Sequence, residues 1–192
     1  RMNHIVIKLL ELSKLEGGFM PDYRIYDLVS FCETFLDSFG QTAENKSISI
    51  SLDAPSSAMV NADEMLIGNA IQNYISNAIS HVNEGGKINV RIAESPDDNQ
   101  KIRLSVFNTG SSVKHSQMEK IWTSFWRADK SHNRADNRFG LGLSIVRAII
   151  LAHNNSFGVY NIEDGVCFWF EVDKAYLTPI PQLPEKIESI DN

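Results

Sequence analysis

The stretch from Asp63 to Val82 limits the fold most strongly, because two different stripes run along one predicted helix. Ile67, Ile71, Tyr74 and Ala78 recur at helical spacing and require an apolar layer to lie against. Asn69, Asn73, Asn77 and His81 follow every fourth residue on an adjoining stripe. A helix of this kind rests one face on a core and turns its border toward a polar edge. A carboxamide carries one oxygen acceptor and two donors without formal charge. Two of them one turn apart can hold a hydrated hard cation and a phosphate oxygen together without adding anionic repulsion. On this segment alone, a solvated polar face fits equally well.

Further along, Phe139-Gly140-Leu141-Gly142-Leu143 opens an apolar helical run that continues to Ile150. Glycine lets the backbone approach a ligand closely and take positive φ at little steric cost. The unpaired N–H groups and positive dipole end of the following helix suit an anion such as a polyphosphate. Tight helix–strand packing explains a lone Gly-x-Gly as well. A polar loop, not a strand, precedes Arg138-Phe139-Gly140, so this is not a dinucleotide fingerprint, and the chain has no Gly-x-x-x-x-Gly-Lys phosphate loop.

The rest of the chain alternates helical and extended signals. Residues 3–16 read as an amphipathic helix closed by Gly17-Gly18, residues 18–22 as a linker, and 27–43 as a second helix. Residues 47–52 alternate strictly as a half-buried strand, with 58–60 as a short partner strand after Pro55. Asn61-Ala62-Asp63-Glu64 resembles a capping box that starts the amide-bearing helix, 63–82. Strands at 87–94 and 101–108 form a hairpin, a helix covers 141–153, and 156–161 with 166–172 make another hairpin. Helices mixed with hairpins in this way predict an α/β chain, a two-layer sandwich with a mixed sheet packed on one layer of helices. A formal net charge of −6 argues against a general nucleic-acid binder. Cys32 and Cys167 make neither a disulfide framework nor a zinc pattern, which fits reduced thiols. The longest apolar run, 141–152, is interrupted by Arg147 and is too short to span a bilayer.

The order of motifs carries a resemblance. An Asn-rich helix with Asn73-x-x-x-Asn77-Ala78 comes first, followed by a strand ending in Asn108-Thr109-Gly110. Next are Phe125-Trp126-Arg127-Ala128-Asp129-Lys130-Ser131 and then Gly140-Leu141-Gly142-Leu143. This order resembles the N, G1, F and G2 boxes of sensor histidine kinases of two-component systems, within the wider superfamily that includes gyrase B and Hsp90. The F box favours the kinase branch. The likeness extends from about Asn3 to Val172.

The resemblance implies a Bergerat-type ATP-binding fold, with ATP and Mg²⁺ held between the helix layer and a lid spanning Ser111 to Phe139. It implies three parts: the end of the second dimerisation-domain helix plus linker over residues 1–20, the catalytic domain over 21–174, and a tail over 175–192. Asn77 then matches the magnesium ligand, and Asn73 its partner toward the phosphate or a metal-bound water. Ser80, His81, Asn108, Gly110, Val113, Phe125, Lys130, Arg138, Gly140, Leu141, Gly142 and Leu143 complete the implied ATP-binding set. Phe125 takes the place of a hydrophobic latch, and Lys130 and Arg138, ahead of Arg134, neutralise the triphosphate.

Four positions depart from the family pattern. Ser80 stands where many relatives carry lysine, His81 where many carry an aromatic residue that packs on adenine, Ser112 replaces a glycine, and Asn108 replaces an aspartate that accepts from the adenine amino group. Asparagine keeps a carbonyl acceptor but loses the charge assistance.

The implied activity is a transfer of the ATP γ-phosphoryl group to a histidine on a dimerisation helix, for relay to an aspartate of a response regulator. None of His4, His81, His115, His132 or His153 is followed directly by an acidic residue, so the phosphoacceptor is expected on a segment upstream. Expected partners are that dimerisation domain, the response regulator and a second copy in the full-length protein, with neither nucleic acid nor direct membrane contact. The expected setting is the cytoplasmic part of a membrane-anchored sensor. Two alternatives remain: a degenerate interaction module that has lost nucleotide binding, and a superfamily ATPase with water as acceptor.

Overall fold

From residue 101 to 109 every second side chain is buried, and this period of two sets the layers of the molecule. The computed structural model describes residues 2–127 and 139–176. The order is α1 (Met2–Glu16), β1 (Arg24–Asp27), α2 (Leu28–Asn45), β2 (Ser49–Asp53), β3 (Met59–Ala62), α3 (Glu64–His81), β4 (Lys87–Glu94) and β5 (Lys101–Thr109). Short 3₁₀ turns at His115–Gln117 and Lys120–Trp122 follow, then α4 (Gly142–Ala152), β6 (Phe157–Ile162) and β7 (Gly165–Asp173).

Five strands form a mixed sheet in the order β2-β4-β5-β7-β6. Only the β2–β4 pair is parallel, with Ile50 opposite Ile88 and Leu52 opposite Val90. One sheet face receives α2 over β2, α3 over β5 and α4 over β7, which is the two-layer α/β arrangement expected. Ile67, Ile71 and Ile75 of α3 are fully buried in the same core as Val90, Leu104 and Phe170 of the sheet. Each contributes roughly 1.5–3 kcal/mol of burial energy. Tyr74 sits between Phe168 and Phe170, at 5.7 Å from each ring, and its hydroxyl donates to the Trp169 carbonyl at 3.1 Å.

Two local expectations need correction. Residues 58–60 are not the partner of the strand after residue 47. β3 pairs antiparallel with β1, Arg24 opposite Ala62, in a separate two-stranded sheet. β2 instead takes β4, whose longer apolar face matches its own. β1 has only four residues, too few for alternation to reveal it. Asp27 explains the placement: its Oδ1 accepts from the Val29 N–H at 3.0 Å, capping α2, and from the Ala58 N–H at 2.8 Å, fixing the approach to β3.

The start of α3 also differs. Asn61 lies within β3, and the cap is Asp63, whose Oδ1 accepts from the Leu66 N–H at 3.0 Å. Its other oxygen accepts from the Asp22 N–H at 2.9 Å. His153, 1% exposed, then joins the start of α3 to the end of α4. Its Nε2 accepts from the Asp63 N–H at 3.0 Å, so Nδ1 carries the proton given to the Ile149 carbonyl at 2.8 Å. Burial holds the His153 pKa below the usual imidazole value, against the opposing pull of the Ile149 carbonyl, Asp63 and Asp173.

Leu12 and Leu15 of α1 are buried in the same core as the sheet, and α1 lies along α4. Among the described residues no helix is long and apolar enough to cross a membrane.

Candidate functional site

A cavity of about 1340 Å³ opens between α3, the mouth of α4 and the end of β5. It exceeds the ~300–1,000 Å³ of an ordinary ligand pocket, because it continues into a groove lined by Phe31, Phe35 and Phe39 of α2. Asn73, Asn77, Ser80, His81, Asn108, Val113, Gly140, Leu141, Gly142 and Leu143 all border it. Ten positions drawn from sequence motifs far apart in the chain therefore meet at one cleft.

The α3 amides differ in what they touch. Asn73 Nδ2 donates to the Asn69 carbonyl at 2.9 Å and to Asn69 Oδ1 at 2.6 Å, while its Oδ1 accepts from Lys8 Nζ at 3.4 Å. Asn69 Nδ2 in turn donates to Glu11 Oε1. Burial pulls the Lys8 pKa down and pushes that of Glu11 up, and the attraction between the two offsets part of each shift. Asn77 lies one turn further along, half-buried, and its carboxamide has no hydrogen-bond partner among the described residues. The Ser80 hydroxyl donates back to the Ser76 carbonyl at 2.5 Å, so it adds little polarity to the cleft. His81 is exposed at the rim.

Asn108 forms the floor. It is fully buried, opposite Ile88 in β4 and Val166 in β7. Nδ2 donates to the Thr109 carbonyl at 3.1 Å and to Ser111 Oγ at 2.8 Å. Oδ1 is buried with no hydrogen-bond partner. An orphaned acceptor at this depth costs about 1–3 kcal/mol unless a ligand donor meets it, so the cleft is built for a ligand that brings an N–H to this point.

At the opposite wall, Gly140 takes φ +70°, and a side chain there would meet the Trp126 carbonyl at 2.7 Å. Gly142 begins α4, and Leu141 supplies no side-chain cap, which leaves the first-turn N–H groups free of one. A Cβ on Gly142 would come to 3.0 Å from Asn73 Oδ1, so this glycine lets the two helices approach.

Two expected contacts are not where the motif reading put them. Gly110 does not border the cavity. At φ +81° it packs on Asn83, and its N–H donates to the Asp164 carbonyl at 2.9 Å, so its small size serves the turn. Phe125 is 57% exposed at φ +64° and also lies off the cavity. Its backbone N–H donates to the Gly140 carbonyl at 2.9 Å, while Trp122 is the aromatic that buries itself, against Phe157 and Phe168. Among the described residues Phe125 is held through its backbone, and its ring is not buried. Lys130, Arg134 and Arg138 lie outside the described residues, as does the tail from 177.

Sequence reasoning missed Lys8, Glu11 and Ser111. Lys8 and Glu11 lie one turn apart beside the Leu12–Leu15 face of α1, a spacing that marks a shared edge but names no partner. Ser111 follows the Asn-x-Gly turn closely, where a hydroxyl can satisfy the preceding amide.

Comparisons with known proteins agree with this geometry. A family model described as the histidine kinase-, DNA gyrase B-, and HSP90-like ATPase matches residues 62–176. The sensor protein VanSB of Enterococcus faecalis is 32% identical over 173 residues, 90% of this chain and 38% of that protein. The sensor-like histidine kinase SenX3 of Mycolicibacterium smegmatis is 31% identical over 84% of this chain and 41% of its own length. The chain thus spans about two fifths of these curated relatives. The catalytic domain of the histidine kinase ThkA superposes with a TM-score of 0.70 at 28% identity, covering 80% of this chain and 96% of that one. ThkA in complex with the response regulator protein TrrA matches at TM-score 0.73 and 27% identity, over 91% of this chain and 48% of that one. With its cleft, its motif order and these likenesses in agreement, the chain belongs to the histidine kinase-, DNA gyrase B- and HSP90-like ATPase family, as an ATP-binding catalytic domain of the sensor histidine kinase type.

Proposed function

We propose that the cavity binds Mg–ATP and that the chain transfers the γ-phosphoryl group to a histidine of a dimerisation helix, for relay to an aspartate on a response regulator. The observation that carries this reading is the fully buried, unpartnered Oδ1 of Asn108 in the same cleft as the half-buried Asn77 amide. One marks where an adenine amino group is received, the other where a phosphate-bound cation is held.

Asn77 Oδ1 is the protein ligand proposed for magnesium. That suffices for an ion that prefers oxygen ligands, keeps several waters and takes the rest from phosphates. Bound there, Mg²⁺ would neutralise charge on the triphosphate. The chain's own residues do the positioning. Asn108 receives the base, Leu141 and Val113 line the pocket, and the first-turn N–H groups of α4 face the phosphates. Lys130 and Arg138 are the proposed basic contacts of the lid. The phosphoryl acceptor is an imidazole nitrogen of the partner domain, which forms the new P–N bond as the bond to ADP breaks. Transfer of this kind depends on alignment and charge neutralisation more than on a protein nucleophile.

Residues 1–20 would belong to the dimerisation domain and 21–174 to the catalytic unit, in a homodimeric, membrane-anchored sensor whose kinase domain faces the cytoplasm. The complex of ThkA with TrrA supports a response regulator as partner. Steady hydrolysis is disfavoured: a water-activating base would stand at position 73, and an amide is a poor base.

A fluorescent ATP analogue tests the proposal. Binding should require Mg²⁺, be displaced by micromolar-to-millimolar ATP, and disappear in Asn77→Ala. Offered the dimerisation domain of the same protein in trans, the chain should phosphorylate its histidine. Absence of magnesium-dependent, ATP-displaceable binding would sink the reading, and sustained phosphate release without an acceptor would favour a hydrolase.

A further inference from the structure

We infer that Asn161, on the edge strand β6, positions one rim of the cleft by holding both backbone groups of Val113, so that Mg–ATP meets a wall already in place. The inference rests on the ATP reading above and adds a positioning residue that lies in none of the sequence motifs.

β5 ends at Thr109, and residues 111–114 belong to neither helix nor strand. Ser111, Ser112 and Val113 nevertheless border the cavity. Such a segment has no ladder to fix it, and its backbone groups need partners from elsewhere. Among the described residues, no main-chain group bonds to Val113. The Asn161 carboxamide does so twice: Oδ1 accepts from the Val113 N–H at 2.9 Å, and Nδ2 donates to the Val113 carbonyl at 2.8 Å. The pair imitates one rung of a β-ladder, with a side chain in place of a second strand. Its sense is fixed, because a reversed amide would set donor on donor and acceptor on acceptor.

The same hairpin holds the segment at its other end. The Gly110 N–H donates to the carbonyl of Asp164, in the turn between β6 and β7, at 2.9 Å. Residues 110–113 are therefore clasped at both ends by one hairpin, and β7 ties that hairpin to β5 from Lys101 to Thr109. The half-buried Val113 side chain packs against the core. Both Asn161 bonds are exposed, so water competes for them and their contribution to global stability is small. The gain falls on binding: this rim is ordered before the ligand arrives, and its ordering does not subtract from affinity. Asn161 itself lies off the cavity and acts through Val113.

The test compares the intact chain with Asn161→Ala and Asn161→Asp. Aspartate has the same shape but two acceptor oxygens, one of which would face the Val113 carbonyl. Amide hydrogen exchange without nucleotide reads the clasp, and displacement of a fluorescent ATP analogue in the presence of magnesium reads its consequence. In both variants the Val113 amide should exchange about tenfold faster, and ATP affinity should fall about three- to tenfold. Asn161→Asp should lose at least as much as Asn161→Ala, with the thermal midpoint nearly unchanged in both. Full affinity in Asn161→Asp would show that filling the space suffices, and full affinity in Asn161→Ala that the rim needs no clasp. Either result overturns the inference while the ATP reading stands. A fall in the midpoint of more than about 5 °C would make Asn161 a residue of fold stability and overturn its positioning role. Failure of ATP to displace the analogue from the unsubstituted chain would overturn the ATP reading and this inference with it.

Discussion

On the α1 side of the cleft, the carboxamides of Asn69 and Asn73 are engaged with each other and with Glu11 and Lys8. On the β5 side and deeper along α3, Asn108 keeps an open acceptor and Asn77 has no partner among the described residues. All four border one cavity. Residue type is the same throughout, so it cannot be what separates them. The difference is what the fold brings alongside: Lys8 and Glu11 reach their amides from 65 and 58 residues away. Engaged amides hold α1 to the catalytic helix, and open amides await a ligand.

The comparison makes a separable claim, that open amides govern binding and engaged ones govern stability. The largest effect should come from Asn77→Ala, which lowers Mg–ATP affinity by more than about 100-fold and leaves the thermal midpoint of the unliganded protein nearly unchanged. A melting curve beside a titration reads both, and a large loss of stability would blur the distinction.

His153 belongs to neither wall but joins the two helices that frame them. His153→Ala should cost about 2–3 kcal/mol, because it strands the Asp63 N–H and the Ile149 carbonyl. The pH dependence has a definite sign. The folded-state pKa is depressed, so below about pH 6.5 the unfolded chain takes up a proton that the native site resists. The contribution is complete above that value and falls away as pH drops toward the folded-state pKa. Urea midpoints measured across pH 5 to 8 should show this decline, and His153→Gln should flatten it.

Smaller changes probe the α1 wall. Asn69→Ala leaves the half-buried Glu11 without its donor and should cost about 1 kcal/mol of stability, with ATP affinity little altered. Lys8→Met removes a long, partly exposed contact, and should change ATP affinity by no more than about threefold. A tenfold gain would mean that Lys8 holds Asn73 away from the nucleotide, placing Asn73 with the open group.

Much of this was legible in the residues. The apolar stripe Ile67, Ile71, Tyr74 and Ala78 implies a helix on a core, strict alternation implies the strand at 47–52, and the turn at 84–86 and the loop at 95–99 imply the hairpin of 87–94 and 101–108. The order of the amide helix, Asn-x-Gly and Gly-x-Gly segments implies the family. β1 was not legible, because its strand character comes from pairing with residues 59–62 and not from its own four residues. The exposure of Phe125 was not legible for a related reason: a motif specifies which residue stands somewhere, whereas exposure is set by what surrounds it. Trp122 took the buried place beside Phe157 and Phe168.

The sequence by itself determined the two-layer architecture, the family and ten of the positions that meet at the cleft, because local periodicity and spaced motifs are properties of neighbouring residues. Only the tertiary structure decided which amides are spent on α1 and which stay open, and how Asn108 is turned. Those outcomes depend on hydrogen-bond partners brought together across the chain, where a buried donor must find an acceptor and the geometry allows only one arrangement.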